Sequence, residues 1–296
     1  MPRFLCIGDL MLDVVVLTNS QIHYGSDTPA KISTHGGGAA ANTATWLAHQ
    51  GHEVFFVART GDDLAANAVI SELDYWKIEH KELRRKDSKT GVVVVLVDET
   101  GQRTMFPDSG ANSGLDESDL PDLHGFDAVF LSGYSLFNPA STNGVKNIIE
   151  KVKLNKLPLF FDPASVGTIT NFGREKALSY LKEMDVLLLN EEESLFLSGA
   201  ASYEAALQVL QSYCQTVIVK RGAAGAVGVH NNSELVFAET VAREPIDTTG
   251  AGDAFAAGFM PEWIRNKDLF AAMQSGNSLA AHCVANIGAR PSVNPK

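Results

Sequence analysis

The chain has 296 residues, of which 45% are hydrophobic and 20% charged, a globular balance with ample material for a large core. Its formal net charge of −11 argues against nucleic-acid binding, since phosphate backbones attract basic surfaces, and no apolar run reaches the roughly 20 residues that cross a bilayer. Cys6, Cys214 and Cys283 are scattered without metal-type spacing, and Met1-Pro2-Arg3 runs at once into a strand pattern rather than a leader, so buried thiols and a cytoplasmic location are expected.

From the N-terminus, residues 4–8 read as a buried strand, followed by Gly8-Asp9-Leu10-Met11-Leu12-Asp13. Residues 14–34 have no helical period and contain Gly25 and Pro29. His35-Gly36-Gly37-Gly38-Ala39-Ala40-Ala41-Asn42-Thr43-Ala44 is a glycine-rich turn opening a helix over 39–50; taken alone, it serves close helix–sheet packing equally well. A strand over 54–58 and a helix over 64–73 follow. Gly91–Val97, the turn Asp98-Glu99-Thr100-Gly101 and residues 102–106 predict a β-hairpin. Strands at 128–131, 159–162, 186–189 and 217–219 then alternate with helical patterns such as 143–153 and 205–213.

Buried strands alternating with helices predict an α/β fold, a doubly wound and mainly parallel sheet with helices on both faces. One domain over 1–296 is expected, with 13–35 and 89–108 breaking the rhythm to form a small β-sheet lid at its edge.

The most informative stretch is Asp247-Thr248-Thr249-Gly250-Ala251-Gly252-Asp253-Ala254-Phe255-Ala256-Ala257-Gly258. It begins in turn-forming residues and runs into a helix, whose first-turn amides lack intrahelical partners and face outward at an electropositive end. Gly250 and Gly252 allow close backbone approach to an anion, and Asp253 sits beside it. A bare Gly-Ala-Gly-Asp fragment fits an ordinary helix-start acid as well; the complete string is far more specific.

Throughout its length the string resembles the C-terminal signature of the ribokinase-like (PfkB) family of carbohydrate kinases. The resemblance implies that Gly250, Ala251 and Gly252 form an anion hole and that Asp253 is the catalytic base. A sugar hydroxyl is a weak nucleophile, so a carboxylate must accept its proton while amides neutralise the transferred phosphoryl. The segment at 35–44 resembles the N-terminal signature, which implies that Gly37, Gly38 and Asn42 bind sugar hydroxyls; Asp13 falls where the family places a carboxylate on two of them.

On the nucleotide side, Leu189-Asn190-Glu191-Glu192-Glu193 resembles an Asn-x-x-Glu element, which implies that Asn190 and Glu193 organise Mg2+ and its waters. Val219-Lys220-Arg221-Gly222-Ala223-Ala224-Gly225 is similar to the strand and turn flanking the nucleotide, with Gly222 and Gly225 against it. Lys220, where many members have threonine, is expected to reach a phosphate, and Asn277 lies where the last long helix meets adenine. Asp247, Thr249, Gly288 and Ser292 fall in two loops resembling those that bind a monovalent cation, K+.

The implied activity is ATP-dependent phosphorylation of a ribose-, fructose- or 2-keto-3-deoxygluconate-like sugar; a nucleoside (adenosine-type) kinase and a non-catalytic sugar-binding relative are the alternatives. Met11 and Ala39 stand where close ribokinases carry asparagine and lysine, which removes two polar contacts to ribose. Asp27, Arg103 and Asn112, in or near the lid, are candidate selectors of the sugar and equally ordinary surface residues. No G-x-x-x-x-G-K-[ST] is present, which argues against a P-loop NTPase, and residues 222–228 lack dinucleotide-fold glycine spacing. The apolar pattern at 92–97 permits a homodimer through the lid.

Overall fold

Strands with no polar face occupy the centre of the protein. Arg3–Ile7, Ala128–Ser132 and Leu159–Asp162 are buried along almost their whole length, as parallel strands covered on both sides must be. The structure, a computed structural model, describes residues 1–18, 21–81, 83–99, 102–241 and 245–292. Among these the main sheet has nine strands, in the order Val236–Ala238, Ala226–His230, Thr216–Lys220, Val186–Asn190, Leu159–Asp162, Ala128–Ser132, Arg3–Ile7, Glu53–Val57 and Glu79–His80. All neighbours pair in parallel except the first two strands, which add antiparallel at one edge.

Alternation along each strand divides two cores. Phe4 and Cys6 point to one face with Phe160, beneath Trp46, Phe255 and Phe259 of helices Ala39–His49 and Ala251–Asn266. Leu5, Ile7 and Phe161 point to the other, beneath Ile148 and Val152 of helix Thr142–Leu154 and Leu207 of helix Tyr203–Leu210. The three cysteines are free and buried. No helix among the described residues is long and apolar enough to cross a membrane.

The doubly wound architecture matches the expectation. The edge strands Ala226–His230, Val236–Ala238 and Glu79–His80 were not foreseen: the first two are joined without the intervening helix that marks a parallel crossover, and the third is only two residues long.

A second sheet has the order Lys31–Gly37, Met11–Leu17, Gly91–Val97 and Arg103–Asp108. The last two strands pair antiparallel as the anticipated hairpin. Thr100 and Gly101 of its expected turn, and Asn19 and Ser20 in the 14–34 segment, lie outside the described residues. Val93, Val95, Met105 and Pro107 face a cavity, whereas Val94, Phe106 and Ile32 on the other face are 36, 58 and 66% exposed.

The chain enters the main sheet at Arg3–Ile7, adds strands to one side, then returns to add Ala128–Ser132 on the other. The order therefore reverses between these two strands, and the crevice beyond their carboxyl ends is where α/β sheets bind ligands.

Phe160 is fully buried, its ring 6.3 Å from that of Phe259 in an edge-on pair. Phe160→Ala should lower unfolding free energy by about 3–5 kcal/mol in urea titrations, whereas Val94→Ala on the outer face of the small sheet should cost about 1 kcal/mol or less. Equal costs would contradict this assignment of core and exterior.

Candidate active site

The crevice at the sheet reversal opens into a cavity of about 1000 Å³, lined among others by Asp9, Asp13, Asn42, Asp162, Lys220 and Asp253. Asp253 lies in the first turn of helix Ala251–Asn266, which is capped by Gly250 in the left-handed conformation, φ 76°. A Cβ on Gly250 would fall 2.5 Å from the Ala289 carbonyl oxygen, so the C-terminal loop can lie against this turn only because the residue is glycine. A Cβ on Gly252 would meet Lys220 Nζ at 3.1 Å, which places the ammonium beside Gly252 in the first turn of this helix.

Lys220 ends strand Thr216–Lys220 and donates to Asp162 Oδ2 over 2.6 Å. Burial works to lower the Lys220 pKa, but Asp162 and Glu193 outweigh it and raise it, so the lysine is charged. For Asp253, burial is the largest effect and raises its pKa well above the usual carboxylate range. Asp162 and Asp9 push the same way, while the Asn42 hydrogen bond and Lys220 oppose them. The result is a carboxylate of raised basicity at a helix N-terminus. Asp162 was not singled out from the sequence, where it reads simply as the end of a buried strand.

The glycine-rich segment meets this carboxylate from the opposite side. Helix Ala39–His49 is capped by Gly38, φ 96°, without a side-chain cap of its own; instead Asp9 Oδ2 accepts from the Ala39 N–H over 2.8 Å. One turn into that helix, Asn42 Nδ2 donates to Asp253 Oδ2 over 2.9 Å. A Cβ on Gly37 would lie 2.2 Å from Asp13 Oδ1, so the glycine makes room for this carboxylate at the cavity wall. Burial raises the Asp13 pKa to about 6; Arg290 opposes the shift, and Asp9 and Glu72 add to it.

Arg290, in the loop with Gly288 and Ser292, is a residue that the sequence alone does not single out. It is buried, and it donates from Nε to Asn42 Oδ1 over 2.8 Å and from Nη2 to the Gly37 carbonyl over 2.7 Å.

Asn190 and Glu193 form a reciprocal cap on helix Glu191–Ser198. Glu193 N–H donates to Asn190 Oδ1 over 2.8 Å, and the two Glu193 oxygens accept from Asn190 N–H at 2.9 Å and Nδ2 at 2.7 Å. Burial, then Asp162, pushes the Glu193 pKa to about 7. Among the described residues no group of three or more His, Cys, Asp or Glu converges as a metal cage. The acidic wall of Glu193 and Asp162 therefore fits a magnesium ion only if it is held largely through water and phosphate oxygens.

Gly222 and Gly225 line the cavity in the turn after Lys220. Asn277 also lines it, with Nδ2 donating to the Ala238 carbonyl over 2.8 Å. The two loops expected around a monovalent cation are adjacent: Asp247 Oδ2 accepts from the Gly288 N–H over 2.9 Å, and Oδ1 from the Thr249 N–H over 2.8 Å. Arg103, from the small sheet, also donates to Asp247 Oδ1 and to the Thr249 hydroxyl. Ser292 is exposed. Of the other two lid candidates, Asp27 is exposed, and Asn112 is buried as a clamp on the Leu10 backbone, accepting at 3.2 Å and donating at 2.9 Å.

The sequence model of the pfkB family carbohydrate kinases matches residues 1–296. A sugar kinase from Archaeoglobus fulgidus is 27% identical over 247 residues, covering 82% of this chain and 96% of that protein. A fructokinase from Vibrio alginolyticus is 29% identical over 267 residues, 86% of each chain. The crystal structure of a Vibrio cholerae fructokinase bound to fructose, ADP and calcium superposes with a TM-score of 0.83 at 25% identity, covering 98% of this chain and 94% of that one.

The two glycines of the helix start should respond differently to a methyl group. Gly250→Ala combines an unfavourable φ with a collision against backbone, so a loss of about 1–3 kcal/mol is expected. Gly252→Ala meets only the flexible end of Lys220 and should stay within about 1 kcal/mol of wild type. Urea denaturation of both variants checks this; a Gly250→Ala protein as stable as wild type would contradict it.

Proposed function

The chain belongs to the PfkB family of carbohydrate kinases and is an ATP-dependent sugar kinase, and from that premise we propose that it phosphorylates a hydroxyl of a small neutral sugar, with Asp253 as the base. The observation that carries this reading is the single cavity in which Asp253, of raised basicity, stands between the Asn42 amide and the helix start at Gly250, Ala251 and Gly252.

The acceptor hydroxyl sits within hydrogen-bond reach of Asp253, held by Asn42, Asp13 and the backbone at Gly37 and Gly38. As it attacks the terminal phosphorus of ATP, its proton moves to the carboxylate, and the new oxygen–phosphorus bond forms as the bond from that phosphorus to the bridging oxygen breaks and ADP leaves. Charge on the transferred phosphoryl is met by the amides of Gly250, Ala251 and Gly252 and by Lys220, groups fixed before the reaction starts. Lys220 exchanges its bond with Asp162 for one with phosphate. Gly222, Gly225 and Asn277 line the adenosine end. Magnesium, when bound, neutralises phosphate charge, with Asn190 and Glu193 orienting its waters. A monovalent cation between the loops of Asp247, Thr249, Gly288 and Ser292 would compete with Arg103 for the Asp247 carboxylate.

The small sheet acts as the lid of this site, with Val93, Val95, Met105 and Pro107 as an apolar cover that keeps water from the phosphoryl group. Its exposed outer face, with Ile32, Val94 and Phe106, suits pairing with a second copy of the chain. The acceptor end carries Asp9, Asp13 and Asp253, while Arg290 is committed to Asn42 and Gly37. Carboxylates repel an anionic acceptor, so a neutral sugar is favoured over a keto acid or a sugar phosphate. Met11 and Ala39 tell against ribose, and fructose is the first acceptor to try.

A panel of pentoses, hexoses, keto acids and nucleosides assayed for ADP release, with magnesium and potassium present, tests this reading. A neutral sugar should give the highest kcat/KM; a keto acid or nucleoside in first place would contradict it. Asp13→Ala should raise the sugar KM by at least about tenfold, because it leaves the remaining hydroxyl partners unpaired, while the KM for ATP stays within about twofold. Equal rises would remove Asp13 from the sugar site. Asp253 must be ionised to act, and its pKa is raised, so kcat/KM should fall as pH drops through a value well above the ordinary carboxylate pKa of about 4. A profile flat down to that pH would contradict the assignment.

A further inference from the structure

We propose that Arg290 is a positioning residue, which fixes the Asn42 amide in the one orientation that presents its N–H to Asp253. This rests on the reading of Asp253 as the base. An asparagine amide offers an acceptor oxygen and a donor nitrogen of nearly equal size, and only its partners decide which way it faces. Asp253, when ionised, only accepts; arginine only donates. Asn42 lies between them, with Nδ2 to Asp253 Oδ2 at 2.9 Å and Oδ1 from Arg290 Nε at 2.8 Å. With the guanidinium in place, the reversed amide would set two donors against each other on one side and two acceptors on the other.

The guanidinium is itself held on three sides. Nη2 donates to the Gly37 carbonyl at 2.7 Å, and Nη1 lies 2.9 Å from Glu72 Oε2, on helix Leu64–Tyr75. A Cβ on Gly36 would fall 2.0 Å from Glu72 Oε2 and 2.1 Å from Arg290 Nη1, so this glycine leaves space for the pair to meet. The chain Glu72, Arg290, Asn42 and Asp253 thus connects the C-terminal loop to the base through buried or partly buried groups. The other charged and titratable groups acting on Asp253 are Asp9, Asp162 and Lys220, with Tyr134 and Cys283 near enough to feel its charge. None of them contacts the Asn42 amide in place of Arg290.

The test compares the loss of kcat on Arg290→Met in the wild type with the loss in an Asn42→Ala background, using the best acceptor. If Arg290 acts through Asn42, the first loss is at least about tenfold and the second less than about threefold, the non-additivity expected of coupled residues. Equal factors in the two backgrounds, or no loss in the wild type, would overturn the proposal. If Arg290→Met does not fold, Arg290→Lys replaces it in the same comparison, since lysine keeps the charge beside Glu72 but cannot reproduce the planar fork that reaches Asn42 and Gly37 together. Should the wild type phosphorylate none of the acceptors, the functional reading fails separately. The carboxyl titration of Asp253 by 13C NMR, which needs no turnover, then decides: Arg290→Met raises its midpoint by about one pH unit if the oriented N–H favours the ionised form, and an unchanged midpoint overturns the proposal.

Discussion

The hydrogen bond from Asn42 to Asp253 joins residues 211 positions apart and brings two helix N-termini to one point. Thr43 Oγ1 contacts the Asp253 carbonyl, and further along Gln50 Nε2 donates to the Ala257 carbonyl over 3.1 Å, so helices Ala39–His49 and Ala251–Asn266 run side by side in the same direction. Their electropositive ends therefore face the same cavity, where both the unpaired first-turn amides and the macrodipoles favour negative charge. Glycine at positions 37, 38 and 250 lets the backbone and Asp13, Asp9 and Ala289 approach closely enough to complete the arrangement.

This geometry accounts for the coexistence of a net charge of −11 with an anionic cosubstrate. Long-range charge opposes ATP, but on the proposed reading binding is decided locally by fixed amides and by Lys220, whose ammonium donates to Asp162 in this structure. Burial, reinforced by clustering with Asp162 and Asp9 in one cavity, raises the basicity of Asp253, the property a proton acceptor working near neutral pH requires. In the absence of substrate the same clustering is destabilising, which fits the tendency of active sites to concentrate unfavourable electrostatics.

The fold and half of the site can be read from contiguous residues. Apolar runs such as Phe4-Leu5-Cys6-Ile7 declare buried strands, and the string from Asp247 to Gly258 announces a helix start with an acid in its first turn. What escaped depends on contacts between distant positions. Arg290 looks like any loop arginine until the fold brings it to Asn42, 248 residues away, and Asp162 gains meaning only from Lys220 on a strand two places along the sheet. Arg103 reads from the sequence as a candidate selector of the sugar; its position over Asp247 and Thr249 follows from sheet pairing that no local pattern encodes. A hint did exist in the first glycine of the run, Gly36, which the Arg290–Glu72 pair explains and sugar binding does not.

The central claim, that Asp253 takes the proton of the acceptor hydroxyl, is tested most directly by kcat for Asp253→Asn, a change that keeps the shape and a hydrogen-bonding oxygen but removes the charged acceptor. General base catalysis contributes about 10²–10⁴-fold, so kcat should fall by at least 10²-fold while both KM values stay within a few-fold of wild type. An Asn variant that is folded, binds both substrates and retains more than roughly a tenth of the wild-type rate, well outside that range, would contradict the account.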